Sequence, residues 1–176
     1  MAITFISGIE LGTLGEFSST SGSVSASTAQ HNTGAYSLRV NPSADNAYVA
    51  VAASQRRISL YLYIVDAPDN DCYVIYNGWS LVLTTDRYVD LYEGATKRVD
   101  GTTQLNTGTW YRLSITVNSS DGWCYYWIDG NPEGNYDGTT TNIGQFIGAY
   151  TLGSAPTTDM YRDDSITDDT ASSADD

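Results

Sequence analysis

The sequence predicts an all-β, single-domain antiparallel β-sandwich of jelly-roll type. Three observations predict it. Apolar and polar residues alternate with period two over long runs, turn dipeptides recur at short intervals, and no window repeats apolar residues at i, i+3, i+4 and i+7 as a helix would. The aromatic content points the same way, with 14 Tyr and 4 Trp against 3 Phe. Tyr, Thr, Val and Ile favour strands.

The elements follow in order. Ile3-Thr4-Phe5-Ile6 reads as an opening strand, and the small-residue stretch Ser18–Ser27 as a loop leading into an edge strand at Ser23–Thr28. Strands are expected next at Ser37–Val40 and Ala47–Ala53. In Arg57–Ile64 the residues Ile58, Leu60, Leu62 and Ile64 share one face, and Ser59, Tyr61 and Tyr63 the other. Cys72–Tyr76, Ser80–Thr85 and Tyr88–Tyr92 are short strands. In Trp110–Val117 the core face is Tyr111, Leu113, Ile115 and Val117, leaving Trp110, Arg112, Ser114 and Thr116 on the opposite side. Trp123–Ile128, Gly144–Tyr150 and Asp159–Ile166 complete the set. Asn77-Gly78, Asp100-Gly101, Asp121-Gly122 and Asp129-Gly130 supply the left-handed positions of tight turns. The sandwich is expected over residues 1–167, and the Ser/Asp-rich stretch 168–176 as an acidic tail.

Charge excludes two partner classes. The net charge is −13, from 8 basic and 21 acidic residues. Nucleic acid requires a basic surface that releases counterions, and an anionic membrane repels such a chain. No apolar run is long enough to span a bilayer. The start, Met1-Ala2 running directly into a strand, has neither a basic nor a long apolar leader region, so synthesis without export is expected. Cys72 and Cys124 leave two readings open, buried free thiols or one disulfide.

Catalysis is not expected. Glycan hydrolysis needs two carboxyl groups facing each other across the scissile bond. The four Glu residues, Glu10, Glu16, Glu93 and Glu133, share no E-x-D-x-E spacing, and strand alternation sets Asp90 and Glu93 on opposite faces. His31, the single histidine, sits in a polar loop. The sequence holds no Cys/His metal cluster, phosphate-binding glycine loop or dinucleotide fingerprint.

A contact face is expected instead. Trp123, Tyr125 and Trp127 alternate with Cys124, Tyr126 and Ile128. With Cys124 and Ile128 inward, the other three rings line the outside, beside Arg112 and extended by Tyr61 and Tyr63. Such a surface stacks on sugar rings or anchors another subunit. With the strand reversed, the same rings are core. Trp79, beside the Asn77-Gly78 turn, is a separate candidate for a loop contact.

Five short motifs in order resemble the concanavalin A-like lectin/glucanase superfamily, in its LamG-like and carbohydrate-binding-module branches. They are Gly8-Ile9-Glu10 with Leu14-Gly15-Glu16-Phe17, Thr33-Gly34-Ala35-Tyr36-Ser37-Leu38-Arg39-Val40, Trp110-Tyr111-Arg112-Leu113, Ile128-Asp129-Gly130, and Tyr161-Arg162-Asp163-Asp164-Ser165-Ile166. The resemblance covers nearly the whole chain and implies a fold, not an activity. It also implies a structural Ca²⁺ between the chain ends, held by Glu10, by one of Asp163 or Asp164, and by backbone carbonyls of His31–Thr33, Thr33 among them. The alternative is that these carboxylates accept backbone N–H bonds without metal. Strand alternation would let only one Asp of the pair face the site.

The organisation as a whole predicts a non-catalytic structural module. The leading expectation is a capsid decoration or other surface protein of a tailed bacteriophage virion. It would be made in the host cytoplasm, contact other virion subunits or itself, and carry glycan affinity. The alternatives are a secreted, extracellular carbohydrate-binding module and a tail-fibre adhesin, though the sequence shows no coiled-coil heptads for the latter.

Overall fold

The computed structural model describes residues 3–7, 9–15, 17–41, 47–50, 57–76, 78–118, 122–140, 142–143, 146–154 and 156–168, with backbone alone at 3–7, 47, 151, 167 and 168. These residues form fifteen strands and no helix. In chain order the strands are β1 (Ile3–Ser7), β2 (Ser19–Ser21), β3 (Ser23–Ser27), β4 (Ser37–Asn41), β5 (Ala47–Ala50), β6 (Arg57–Ile64), β7 (Cys72–Tyr76), β8 (Trp79–Leu83), β9 (Val89–Glu93), β10 (Thr96–Val99), β11 (Trp110–Val117), β12 (Trp123–Ile128), β13 (Asn131–Asp137), β14 (Phe146–Thr151) and β15 (Met160–Asp168). An eight-stranded sheet runs β13-β12-β11-β6-β15-β4-β3, with β1 also paired to β15. A seven-stranded sheet runs β10-β9-β8-β7-β14-β5-β2. All strand pairings within both sheets are antiparallel, and the all-β sandwich expected from the sequence is the observed architecture.

Alternation fixes the register of the central strands. Leu60 of β6 lies opposite Leu113 of β11, and Ile58 opposite Ile115. All four are fully buried and join Leu81, Leu83, Leu91, Ile75 and Ile147 of the facing sheet in one core. A one-residue slip would turn every one of these side chains outward. Arg162 crosses the same interior. It is 1% exposed, and its Nη2 donates to the Gly148 carbonyl of the opposite sheet at 2.9 Å. Burial pushes the guanidinium down to about 10, still charged at neutral pH.

Three strands go beyond the sequence reading: β2, β10 and β13. Each is short or polar, and β13 and β2 are the outermost strands of their sheets on one side. Pro132 in β13 is tolerable there because an edge strand has N–H groups with no ladder partner. The β12–β13 hairpin turns through Asp129 and Gly130, with φ of 50° and 77°, as the Asp-Gly dipeptide predicts. Asn77 and Asp121 of two other expected turns, residues 51–53 at the end of the strand expected from Ala47, and the tail 169–176 lie outside the described residues. Among the described residues no helix is long and apolar enough to cross a membrane.

Cys72 and Cys124 are both buried free thiols, one in each sheet. Burial pushes the Cys72 thiol up to about 12, and that of Cys124 well up as well. A thiolate is the reactive form. Native protein should therefore leave both thiols unreacted with a chromogenic disulfide reagent at pH 8, while denatured protein titrates both. Rapid native labelling of either would show that the core opens locally.

Candidate functional site

The two chain ends meet as the sequence suggests, with one difference in detail. β15 pairs with β4 over Met160–Arg162 and with β1 over Ser165–Asp168. At the changeover its register against β6 shifts between Asp163 and Ile166, and Asp164 takes a left-handed φ of 46°. That irregularity suspends alternation, so both carboxylates reach the 32–33 loop, contrary to the expectation that only one would. Asp163 Oδ2 accepts the N–H groups of Asn32 (2.7 Å) and Thr33 (3.1 Å), and its Oδ1 accepts that of Asp164. Asp164 accepts the Thr33 hydroxyl at 2.8 Å. Glu10 accepts the Ala35 N–H at 3.1 Å, its carboxylate lying against Gly34, where a Cβ would come within 1.8 Å of Oε1.

These are the residues of the expected calcium site, and the donor set does not fit a cage. Ca²⁺ needs six to eight oxygens free to point at one centre. Here the carboxylates point at the N–H side of the loop, and among the described residues no three His, Cys, Asp or Glu side chains group closely enough to hold a metal ion. Burial pushes the Asp163 carboxyl up, and the Thr33 and Asn32 N–H groups oppose that. His31 is exposed.

Trp123, Tyr125 and Trp127 lie on the outer face of the eight-stranded sheet, as expected. Their rings form a ladder with centroids 6.0 and 6.1 Å apart. The face around them is mostly closed. Trp127 is 8% exposed, and Arg57, Ser59, Ser114 and Thr116 are buried beside it, leaving Tyr125 at 38%. Arg112 is half-buried and donates from Nε to Ser59 Oγ at 3.1 Å. Tyr61 is half-buried opposite Arg112 and Asp163 in the neighbouring strands. The half-buried Tyr63 packs on Trp110 at 5.3 Å and Tyr161 at 6.0 Å. Trp79 corrects the sequence reading. It is wholly buried in the core, and its indole N–H donates to the Thr140 carbonyl at 2.7 Å, so it faces no ligand.

A second aromatic surface lies on the outer face of the seven-stranded sheet. Its rings follow one another across β9, β7, β14 and β5. Tyr92 meets Tyr73 at 5.9 Å and Tyr73 meets Tyr76 at 4.7 Å. Tyr76 stacks on Tyr150 at 4.0 Å and 11°, and Tyr48 touches both Tyr150 (5.8 Å) and Phe146 (4.7 Å). Tyr73, Tyr92 and Val82 form a buried cluster separate from the main core, with Tyr76, Tyr150 and Leu152 half-buried over it. A groove of about 280 Å³ opens here, lined by Tyr73, Tyr76, Gly78, Gly94, Leu152 and Gly153. Strand alternation would put Tyr73 and Tyr76, three residues apart, on opposite faces. The register shift between Tyr73 and Ile75 brings them to the same one. The signal in the sequence was the surplus of Tyr alone.

The same face turns polar beyond Tyr92. A second hollow of about 270 Å³ is lined by Asp71, Thr84, Thr85, Asp86, Tyr88, Asp90, Lys97 and Asp100. Asp90 accepts the Gly101 N–H at 2.9 Å, and Asp71 accepts that of Thr85 at 2.8 Å.

No protein-family model and no curated protein matches the sequence. Solved structures match the fold. Domain 4 of AbnA, an extracellular GH43 arabinanase from Geobacillus stearothermophilus solved with arabinotriose, is 13% identical at a TM-score of 0.58, covering 95% of this chain and 94% of that one. The binding domain of Botulinum Neurotoxin DC, solved with SialylT, is 12% identical at a TM-score of 0.60, covering 88% and 43%. Trypanosoma rangeli sialidase is 15% identical at a TM-score of 0.60, covering 89% and 30%. The chain thus spans less than half of the latter two. At these identities the likeness establishes a shared β-sandwich fold.

Glu93, the last residue of β9, ties that strand to the segment after β13. Its carboxylate accepts the N–H groups of Thr139 (2.7 Å) and Thr140 (2.9 Å) and pairs with Arg98 at 2.9 Å. Burial pushes the carboxyl up, but the two N–H groups and Arg98 outweigh it and hold it at about 2. A depressed carboxyl stabilises the fold above its unfolded value of 4.5 and loses that stability as pH falls towards 2. Glu93→Gln should cost about 1–3 kcal/mol in urea unfolding at pH 7, and should flatten the stability profile between those two pH values. An unchanged acid limb would refute this.

At the junction, Gly34→Ala should lower Tm, since the new Cβ would meet Glu10 at a φ of +58°. A chelator should leave Tm within about 1 °C, at most about half a kcal/mol for a domain of this size. A fall of several degrees on chelation would mean that the carboxylates reorganise around a metal.

Proposed function

We propose that this chain is a non-catalytic carbohydrate-binding module that takes a sugar chain along the outer face of the seven-stranded sheet. One observation carries the reading: the path of contacting rings from Tyr92 through Tyr73, Tyr76 and Tyr150 to Tyr48, with a groove opening on Tyr73 and Tyr76. Sugars present apolar C–H faces to aromatic rings and hydroxyls to polar rims, and a ligand site pairs a largely apolar surface with a few polar groups. The arabinotriose held by the AbnA domain and the SialylT held by the neurotoxin binding domain support the choice of ligand class.

The non-catalytic part rests on the carboxylates. A general acid at neutral pH needs a raised pKa. Glu93 and Glu133 are held low instead, despite burial pushing each up: Glu93 by the Thr139 and Thr140 N–H groups and Arg98, and Glu133 by the Thr103 hydroxyl and the N–H groups of Thr102 and Thr103. Asp163, which is raised, is clasped under the 32–33 loop.

The Trp123–Tyr125–Trp127 ladder supports a second contact on the opposite face, where the exposed Tyr125 would meet another protein subunit or a second copy of the chain. Placement on a phage particle is proposed from the organisation of the sequence and is compatible with a glycan site, since a displayed module of this kind would hold particles to a sugar-coated surface.

Titration against a panel of oligosaccharides that includes arabinotriose tests the reading. Tyr76→Ala and Tyr150→Ala should each weaken binding at least tenfold, about 1.4 kcal/mol, while Tyr125→Ala leaves it unchanged. Loss on Tyr125→Ala alone would move the site to the other sheet.

A further inference from the structure

The groove's electrostatic surroundings bear on which sugars it can hold, and this step rests on the carbohydrate reading above. Tyr92 belongs to both ends of the face. Its ring packs on Tyr73, and on the same strand Asp90 lies two residues away, on the wall of the polar hollow. Its phenol is pushed up by burial, pulled down by Lys97 and pushed up again by Asp90, Asp71 and Asp100, so those charges are its neighbours. A sugar chain on the ring path that extends past Tyr92 enters this hollow.

The hollow has four carboxylates, Asp71, Asp86, Asp90 and Asp100, against one ammonium, a local net of three negative charges. The cluster is no site in its own right, since two of those carboxylates already hold backbone N–H groups. Its one cation is also engaged. Lys97 Nζ lies 2.5 Å from Asp100 and 3.4 Å from Asp90. Among the described residues no guanidinium lines either hollow, that of Arg87 in the turn after β8 included. Arg98 is paired with Glu93, Arg39 with Asp159, and Arg162 lies in the core. Arg57 and Arg112 belong to the other sheet. Recognition of a sugar carboxylate or sulfate calls for Arg or Lys donors. Among the described residues the lining of this face offers no unengaged one, and a net charge of −13 adds long-range repulsion.

We propose that the groove selects uncharged sugars and excludes sugars that carry a carboxylate or sulfate.

The test uses matched pairs that differ in charge: α-1,4-galactotriose with trigalacturonate, β-1,4-mannotriose with trimannuronate, and lactose with lactose 3′-sulfate. Each is titrated into the intact chain at low and high salt. The uncharged member of a pair should bind at least about tenfold more tightly at 0.01 M salt, and the gap should shrink at 1 M, where screening shortens from about 30 Å to about 3 Å. The double variant Asp86→Asn with Asp100→Asn, both exposed, should narrow the gap at low salt. Equal or tighter binding of the acidic member overturns the proposal, as does a gap indifferent to salt and to the double variant. Binding of no member of any pair, nor of arabinotriose, overturns the carbohydrate reading itself.

Discussion

The structure depends on carboxylates bonding to peptide N–H groups. With 21 acidic residues and 8 basic ones, ion pairing cannot satisfy the acids. The chain turns them on its own loops. Glu93 takes the N–H groups of Thr139 and Thr140, Glu133 those of Thr102 and Thr103, and Asp163 those of Asn32 and Thr33. Asp69 takes the N–H and hydroxyl of Thr157. Each bond spans 30 or more residues; those of Glu93, Glu133 and Asp163 pin an irregular connection to a distant strand, and that of Asp69 ties two connections to each other. A charged acceptor makes such a bond stronger than a neutral one, and loops whose N–H groups would otherwise lack partners are the places that need it.

The same economy shapes β15. Its middle lies between β6 on one side and β4 then β1 on the other, so the last strand is central to its sheet. Two partners sharing one edge leave a gap at the changeover. Asp163 and Asp164 fill it by bonding to the 32–33 loop in place of a strand. The burial that raises the Asp163 carboxyl is the cost of that closure, offset by three N–H donors. One residue earlier, Arg162 leaves β15 on the inner side and bonds to the facing sheet at Gly148. Adjacent residues thus close the sheet edge and tie the two sheets together.

Legibility in the sequence followed regularity. β6 and β11 alternate along their length, and their core faces were readable; alternation in β12 grouped Trp123, Tyr125 and Trp127 on one face and left open which face that was. Asp129-Gly130 marked its hairpin for the same reason, a local geometry only certain residues adopt. Alternation alone does not reach the candidate sites at two irregularities. The shift in β7 joins Tyr73 to Tyr76, and that in β15 joins Asp163 to Asp164. Neither carries a local residue signature, because a register shift is decided by the partner strand. Trp79 misleads for a related reason. Its neighbour Gly78 suggests an exposed turn, but Trp79 already begins β8, with its side chain inward.

Irregularity is also what separates the two aromatic faces in construction. The ladder on β12 follows from alternation within one strand, and its neighbours Ser59, Ser114 and Thr116 are already buried. The Tyr path needs strands from across the sheet and a bulge to align them, which fixes several rings against one another before any ligand arrives. A tyrosine has only two side-chain torsions, and rings already packed against one another have little freedom left to lose on binding. Under the proposed carbohydrate reading, a surface built this way suits a weakly interacting, heavily hydrated partner, because little of the small gain from stacking is spent on ordering the protein.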